Sequence, residues 1–176
     1  MDVPLAVRSV PCMDWLTVGV QWLHVLLGIL WMGTTLTLDV IVIPAINRLP
    51  IVRQREISSN IGARATPLFQ VVVPLIILLG VVRGTVLGPI RSLEALVTPY
   101  GLTWLTALVV TIGVYGFGLF VLVPALRRMD AVPVTADGGP TPELTAATDQ
   151  VKRLVGVELL GFLVIFTCMI LMRFGL

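Results

Sequence analysis

A chain of 176 residues that is 57% hydrophobic and 12% charged, with a mean hydropathy of +1.01, carries more apolar surface than a soluble core of this size can hide. It reads as an integral membrane protein, and a net charge of only +2 argues against a nucleic-acid partner. Four apolar runs, at about 15–46, 67–86, 102–126 and 154–174, can each cross a hydrocarbon core of ~30 Å at ~1.5 Å per helical residue. The expected fold is an all-α membrane protein, a single four-transmembrane-helix bundle over residues 1–176. The runs are continuous and lack the alternation of a membrane β-barrel.

The opening stretch "MDVPLAVRSVPCMD" has no clear cleavage site, and the run after it is too long for a signal peptide, so the first span is expected to be retained. That span holds the only histidine. On an α-helix His24, Gly28, Trp31, Thr35 and Asp39 fall on one stripe, which should face the bundle because an imidazole or carboxylate facing lipid is costly. Gly28 has no side chain beside His24, which leaves room for a flat ligand or a close helix crossing. Pro44 and Pro50 should end the helix.

Span 2 opens with "ATPLF", where Thr66 can cap and Pro67 can take the first helical position. Pro74 should kink it. Between spans 2 and 3, "GPIRSLEALVTPYG" suggests a short interfacial helix, with Tyr100 and Trp104 at headgroup level. "GVYGFG" in span 3 lacks a preceding strand and suits close helix packing rather than a dinucleotide loop. Spans 1 and 3 end alike, in "VIVIPAI" and "LFVLVPAL", as an internal duplication or two helices ending at one membrane face would leave them. The segment 129–150, rich in Pro, Gly, Thr and Ala, is expected to be a flexible cytoplasmic loop.

Basic residues fall unevenly. Arg48, Arg53, Arg55, Arg64, Arg127, Arg128, Lys152 and Arg153 lie on one side, and Arg8, Arg83, Arg91 and Arg173 on the other. The richer side is expected to be cytoplasmic, with both termini on the non-cytoplasmic side.

Depth along the spans then sorts the polar residues. His24, Arg83, Met169 and Arg173 share the outer part; Asp39 and Glu158 lie nearer the cytoplasmic face, where they suit a proton-linked pair or interfacial snorkelling. An imidazole, a guanidinium and a thioether are the parts of a b-type haem site: axial His24, a second axial ligand in Met169, and Arg83 for a propionate. One histidine excludes bis-His ligation within a monomer. Cys12, Met13, Cys168, Met169 and Met172 offer copper a soft-ligand alternative, although their spacing matches no compact motif, and a Cys12–Cys168 disulfide is left open. The structural alternative for each is plain packing.

"WLHVLLGILWMG" resembles the first helix of the small four-helix membrane proteins around the copper-resistance protein CopD, of the HemJ-type protoporphyrinogen oxidases, and of the membrane part of PuuD-type urate oxidases. "RATPLFQVVVPLIILLGVVRG" and "RLVGVELLGFLVIFTCMILM" are similar to their second and last helices. The resemblance implies a haem ligand at His24, with Gly28 and Trp31 around the cofactor, and a prokaryotic plasma membrane. HemJ-like enzymes carry a mid-chain catalytic lysine, whereas the single lysine here is Lys152, which disfavours protoporphyrinogen oxidation. Three functions follow: a haem-binding redox protein passing electrons to a quinone or partner subunit, a CopD-type copper exporter, or a non-catalytic accessory subunit of a homo-oligomer or larger complex.

The charge asymmetry predicts the topology. In a background without native cysteines, Ser9→Cys should react with an impermeant maleimide on intact cells, and Gly139→Cys only after permeabilisation; the reverse pattern would invert the orientation.

Overall fold

The computed structural model describes residues 14–135 and 138–176, and among these there is no β-strand. Four long helices carry the chain: α1 (Trp15–Ile46), α2 (Ile51–Thr85), α4 (Pro99–Ala131) and α5 (Pro142–Arg173), each long and apolar enough to span a membrane. A one-turn helix, α3 (Leu93–Leu96), precedes α4 and is capped by Ser92, whose hydroxyl accepts from the Ala95 amide. Asp14 caps α1 through the Leu16 amide, and the Thr17 hydroxyl donates to the same carboxylate, holding Asp14 below the usual carboxylate range.

The four spans are where hydropathy places them, but two helices start earlier. At ~1.5 Å per residue, the 35 residues of α2 reach roughly 50 Å, well beyond a ~30 Å hydrocarbon core. Its first turns, with Arg53, Arg55 and Arg64, are the charged extension of an apolar helix. Thr66 and Pro67 therefore lie inside α2 and cap nothing; Pro50 stands at the true N-terminus. Likewise α5 begins at Pro142, with the Thr141 hydroxyl accepting from the Leu144 amide at 3.2 Å. The expected flexible loop 129–150 thus shrinks to the stretch between α4 and α5.

Pro44 does not end α1 either. Leu38–Val42 form a π-helical turn, closed by the Ile43 amide on the Leu38 carbonyl, and the helix runs on to Ile46. α4 repeats this with Gly118–Leu122, the Val123 amide on the Gly118 carbonyl, and Pro124. A proline has no amide to give its preceding turn, and its ring crowds the carbonyl four residues back; widening that turn relieves both. The two devices lie eighty residues apart in register, with Gly33 matching Gly113, Pro44 Pro124, Ala45 Ala125 and Arg48 Arg128. The two helices thus share local geometry at a constant offset, as an internal duplication or two helices ending at one face would leave it.

Packing follows the two hairpins. α1 lies along α2, α4 along α5, and the hairpins meet chiefly through α2 and α4. The core joins Trp31, Val72, Val73, Ile76, Val114, Phe162 and Ile165, with the Trp31 and Phe162 rings edge to face at 4.7 Å and 70°. Gly161 brings α5 onto α4: a Cβ there would stand 2.3 Å from Val114 Cγ2. Of the glycines in "GVYGFG", Gly113 and Gly116 face open space, and only Gly118 approaches another helix. Most remaining apolar side chains point outward, as a lipid-facing surface requires.

Because Thr141 caps α5 outside the apolar run, Thr141→Ala should cost about 1 kcal/mol and speed amide exchange in the first turn of α5 alone. Wild-type exchange as fast over 144–150 as over the preceding loop would contradict the helical start.

Candidate functional site

The stripe on α1 faces the bundle: Trp31 and Thr35 are buried, and His24, Gly28 and Asp39 are half-buried. At its upper end His24 meets α2. Its Nδ1 lies 3.1 Å from the Ile76 carbonyl oxygen. A carbonyl only accepts, so Nδ1 carries the proton and donates, and in the neutral ring Nε2 keeps a free lone pair.

Room for the imidazole comes from Gly80, one turn further along α2. A Cβ at Gly80 would stand 3.1 Å from His24 Cε1. Gly28 has nothing within 4 Å of where its Cβ would be, so among the described residues no close helix crossing occurs there. One more turn on, Gly84 forms a notch for Trp104 of α4, where a Cβ would lie 2.1 Å from the indole Nε1. That Nε1 donates to the Gly80 carbonyl at 3.3 Å. Trp104 is thus half-buried, with its indole turned onto α2.

His24, Gly80, Arg83, Gly84, Trp104 and Met169 line one cavity of about 700 Å³, together with Gln21, Tyr100, Thr111, Met172 and Arg173. This volume lies within the ~300–1,000 Å³ typical of ligand sites. Arg83 Nε is buried there without a hydrogen-bond partner among the described residues. Such an atom is uncommon in a native fold and marks a place where a ligand acceptor would fit. The four residues that depth alone grouped, His24, Arg83, Met169 and Arg173, therefore share one cavity. Gly28 and Trp31 lie outside its lining, Trp31 being a core residue. Sequence reasoning missed Gly80, Gly84 and Trp104; the spacing of the two glycines was the available signal.

Cys168 is buried and does not line the cavity, while Met169 and Met172 do. Cys12 and Met13, and with them any Cys12–Cys168 disulfide, lie outside the described residues. No group of three or more His, Cys, Asp or Glu side chains that could hold a metal occurs among the described residues. A haem iron asks the protein for one or two axial ligands, so that finding bears on bare-ion sites.

Lower in the bundle, Asp39 sits in the π-helical turn of α1, with Oδ2 buried and unpartnered among the described residues. Glu158 of α5 stands beside Gly118 in the matching turn of α4, its Oε1 3.6 Å from where a Gly118 Cβ would be. Neither carboxylate forms an ion pair among the described residues. No family model, curated protein or solved structure matches the chain.

The notch can be tested by a double-mutant cycle. Gly84→Ala should cost roughly 1–3 kcal/mol by overpacking against the indole, and adding Trp104→Ala should recover most of that; strictly additive losses in denaturant unfolding would show that the two residues do not meet.

Proposed function

We propose that the protein is a haem-binding membrane redox protein, with b-haem in the His24–Arg83 cavity. The observation that carries this reading is the His24 hydrogen bond: Nδ1–H is held by the Ile76 carbonyl, so Nε2 is the ring's free ligating atom. The cavity beside it, with the Nε of Arg83 that has no partner among the described residues and the thioether of Met169 in its lining, fits the same group. His24 would be the axial ligand, Met169 a second one, and Arg83 would bind a propionate. Haem supplies one-electron transfer at the iron; the protein holds it, orients the imidazole and excludes lipid from that face. The resemblance of "WLHVLLGILWMG" to HemJ-like first helices supports the same role for His24. In this reading the electrons pass to a quinone or a partner subunit, in a prokaryotic plasma membrane with both termini outside.

Copper transport of the CopD type is the second reading, supported by Met169 and Met172 beside His24 in one cavity, where thioethers with an imidazole suit Cu(I). The buried Cys168 contributes nothing to it. If neither cofactor binds, the chain is an accessory subunit whose polar stripe packs helices.

Protein expressed with haem supplied should show a Soret band after detergent purification. His24→Ala should abolish it, whereas Arg83→Ala should keep the band position and release haem roughly ten-fold faster, as expected for one lost charge-assisted contact. An absent wild-type band, or an unchanged His24→Ala spectrum, would sink the haem reading; stoichiometric Cu(I) in its place would select the second.

A further inference from the structure

A second cavity, of about 1120 Å³, lies at the proline end of the bundle, remote from His24. Corresponding positions of α1 and α4 build its walls. Ile43 and Val123 match at the offset of eighty residues, as do Ile46 and Leu126, and all four line it. At the next position the two helices diverge: one wall has Asn47, the other Arg127. The α1 and α4 walls are therefore apolar at depth, with Arg127 at the α4 rim; Arg55, Lys152, Asp130 and Asp149 complete the charged lining.

Its height is set by α2 and α5. Thr66 and Pro67 mark where α2 turns apolar, Lys152 marks where α5 does, and all three line the cavity. The space thus straddles the level at which chain hydropathy changes, where lipid headgroups meet acyl chains. The other two cations of the lining are engaged: Arg55 donates to the Val132 carbonyl, and Lys152 pairs with Asp149 at 3.2 Å. Arg127 enters no ion pair or hydrogen bond with protein among the described residues. Ser58 and Thr148 also line it.

An apolar slot beneath an uncommitted guanidinium at interface level fits one chemical class. We propose that this cavity binds an anionic phospholipid, with the phosphate on Arg127 and an acyl chain between the paired Ile43/Val123 and Ile46/Leu126 walls. The guanidinium fork matches phosphate oxygens in a way that a zwitterionic headgroup, with its own cation, competes against. This site is independent of the haem reading.

The full chain in a neutral detergent, given dioleoyl phosphatidic acid or dioleoyl phosphatidylcholine, tests it by native mass spectrometry. One phosphatidic acid per chain should be retained at least ten-fold more strongly than phosphatidylcholine. Arg127→Gln should lose that preference, while Arg128→Gln, a neighbouring exposed arginine outside the lining, should keep it. Gly62 lines the cavity, and its Cβ would meet nothing within 4 Å, so Gly62→Leu should fill the space without harming the helix and cut retention ten-fold. Equal loss in Arg127→Gln and Arg128→Gln would reduce the effect to general surface charge and overturn the site. So would wild-type retention in Gly62→Leu, or displacement of the lipid by millimolar inorganic phosphate, which would make the apolar walls irrelevant.

Discussion

The backbone carbonyls of α2 at Ile76 and Gly80 organise the His24 end of the bundle. In hydrocarbon a polar side chain has no water to fall back on, so its partner must come from protein. His24 reaches the Ile76 carbonyl and Trp104 the Gly80 carbonyl, which places the two side chains one turn apart on the same helix. Both contacts need α2 to present bare backbone, and Gly80 and Gly84 provide it. The threonines answer the same demand locally: Thr85, Thr111 and Thr167 each donate to the carbonyl four residues back. Against that rule, Arg83 Nε and Asp39 Oδ2 stand out as the buried side-chain atoms without partners among the described residues.

α1 and α4 correspond at an offset of eighty residues and also show where that likeness stops. Both keep a π-helical turn ahead of a proline, so both pass their proline without breaking. At the other end, the position matching His24 is Trp104. The two residues approach α2 from different helices, and each meets a carbonyl there. In the carboxylate layer, Asp39 of α1 corresponds to Leu119, and the second acid comes from Glu158 on α5 instead. The polar groups His24 and Asp39 are thus found where the two helices differ, while the turn that passes the proline is found where they agree.

Much of this was legible in the residues. Continuous apolar runs fixed four helices and their number, because hydrocarbon permits little else. The inward stripe of α1 was also legible, since 3.6-residue periodicity places His24, Trp31 and Thr35 on one face. Helix starts were not. The polar first turns of α2 and α5 cost nothing in water and so leave no hydropathy signal. Thr66-Pro67 and Thr141-Pro142 are the same dipeptide, one inside a helix and one capping it, and proline's fixed φ suits both positions. "TPE" at 141–143 differs from "TPL" at 66–68 only in the acidic residue that favours a helix N-terminus.

The site itself was half legible, and the missing half is instructive. Depth along straight helices is a one-dimensional property, so it could bring His24, Arg83 and Met169 to one level. Which helix lies beside His24 is a two-dimensional property of the bundle, and a single sequence does not contain it. The contact of Gly80 with the imidazole therefore left no sign in the stripe of α1. Yet "GVVRG" at 80–84 holds two glycines a turn apart flanking an arginine, and in a membrane helix such spacing marks the face another element approaches most closely. Arg83 between them lines the cavity, its Nε buried in the space between helices. Gly80 and Gly84 thus do two things at once: they admit His24 and Trp104 to the α2 backbone, and they hold those rings far enough in that Arg83 is left facing a cavity.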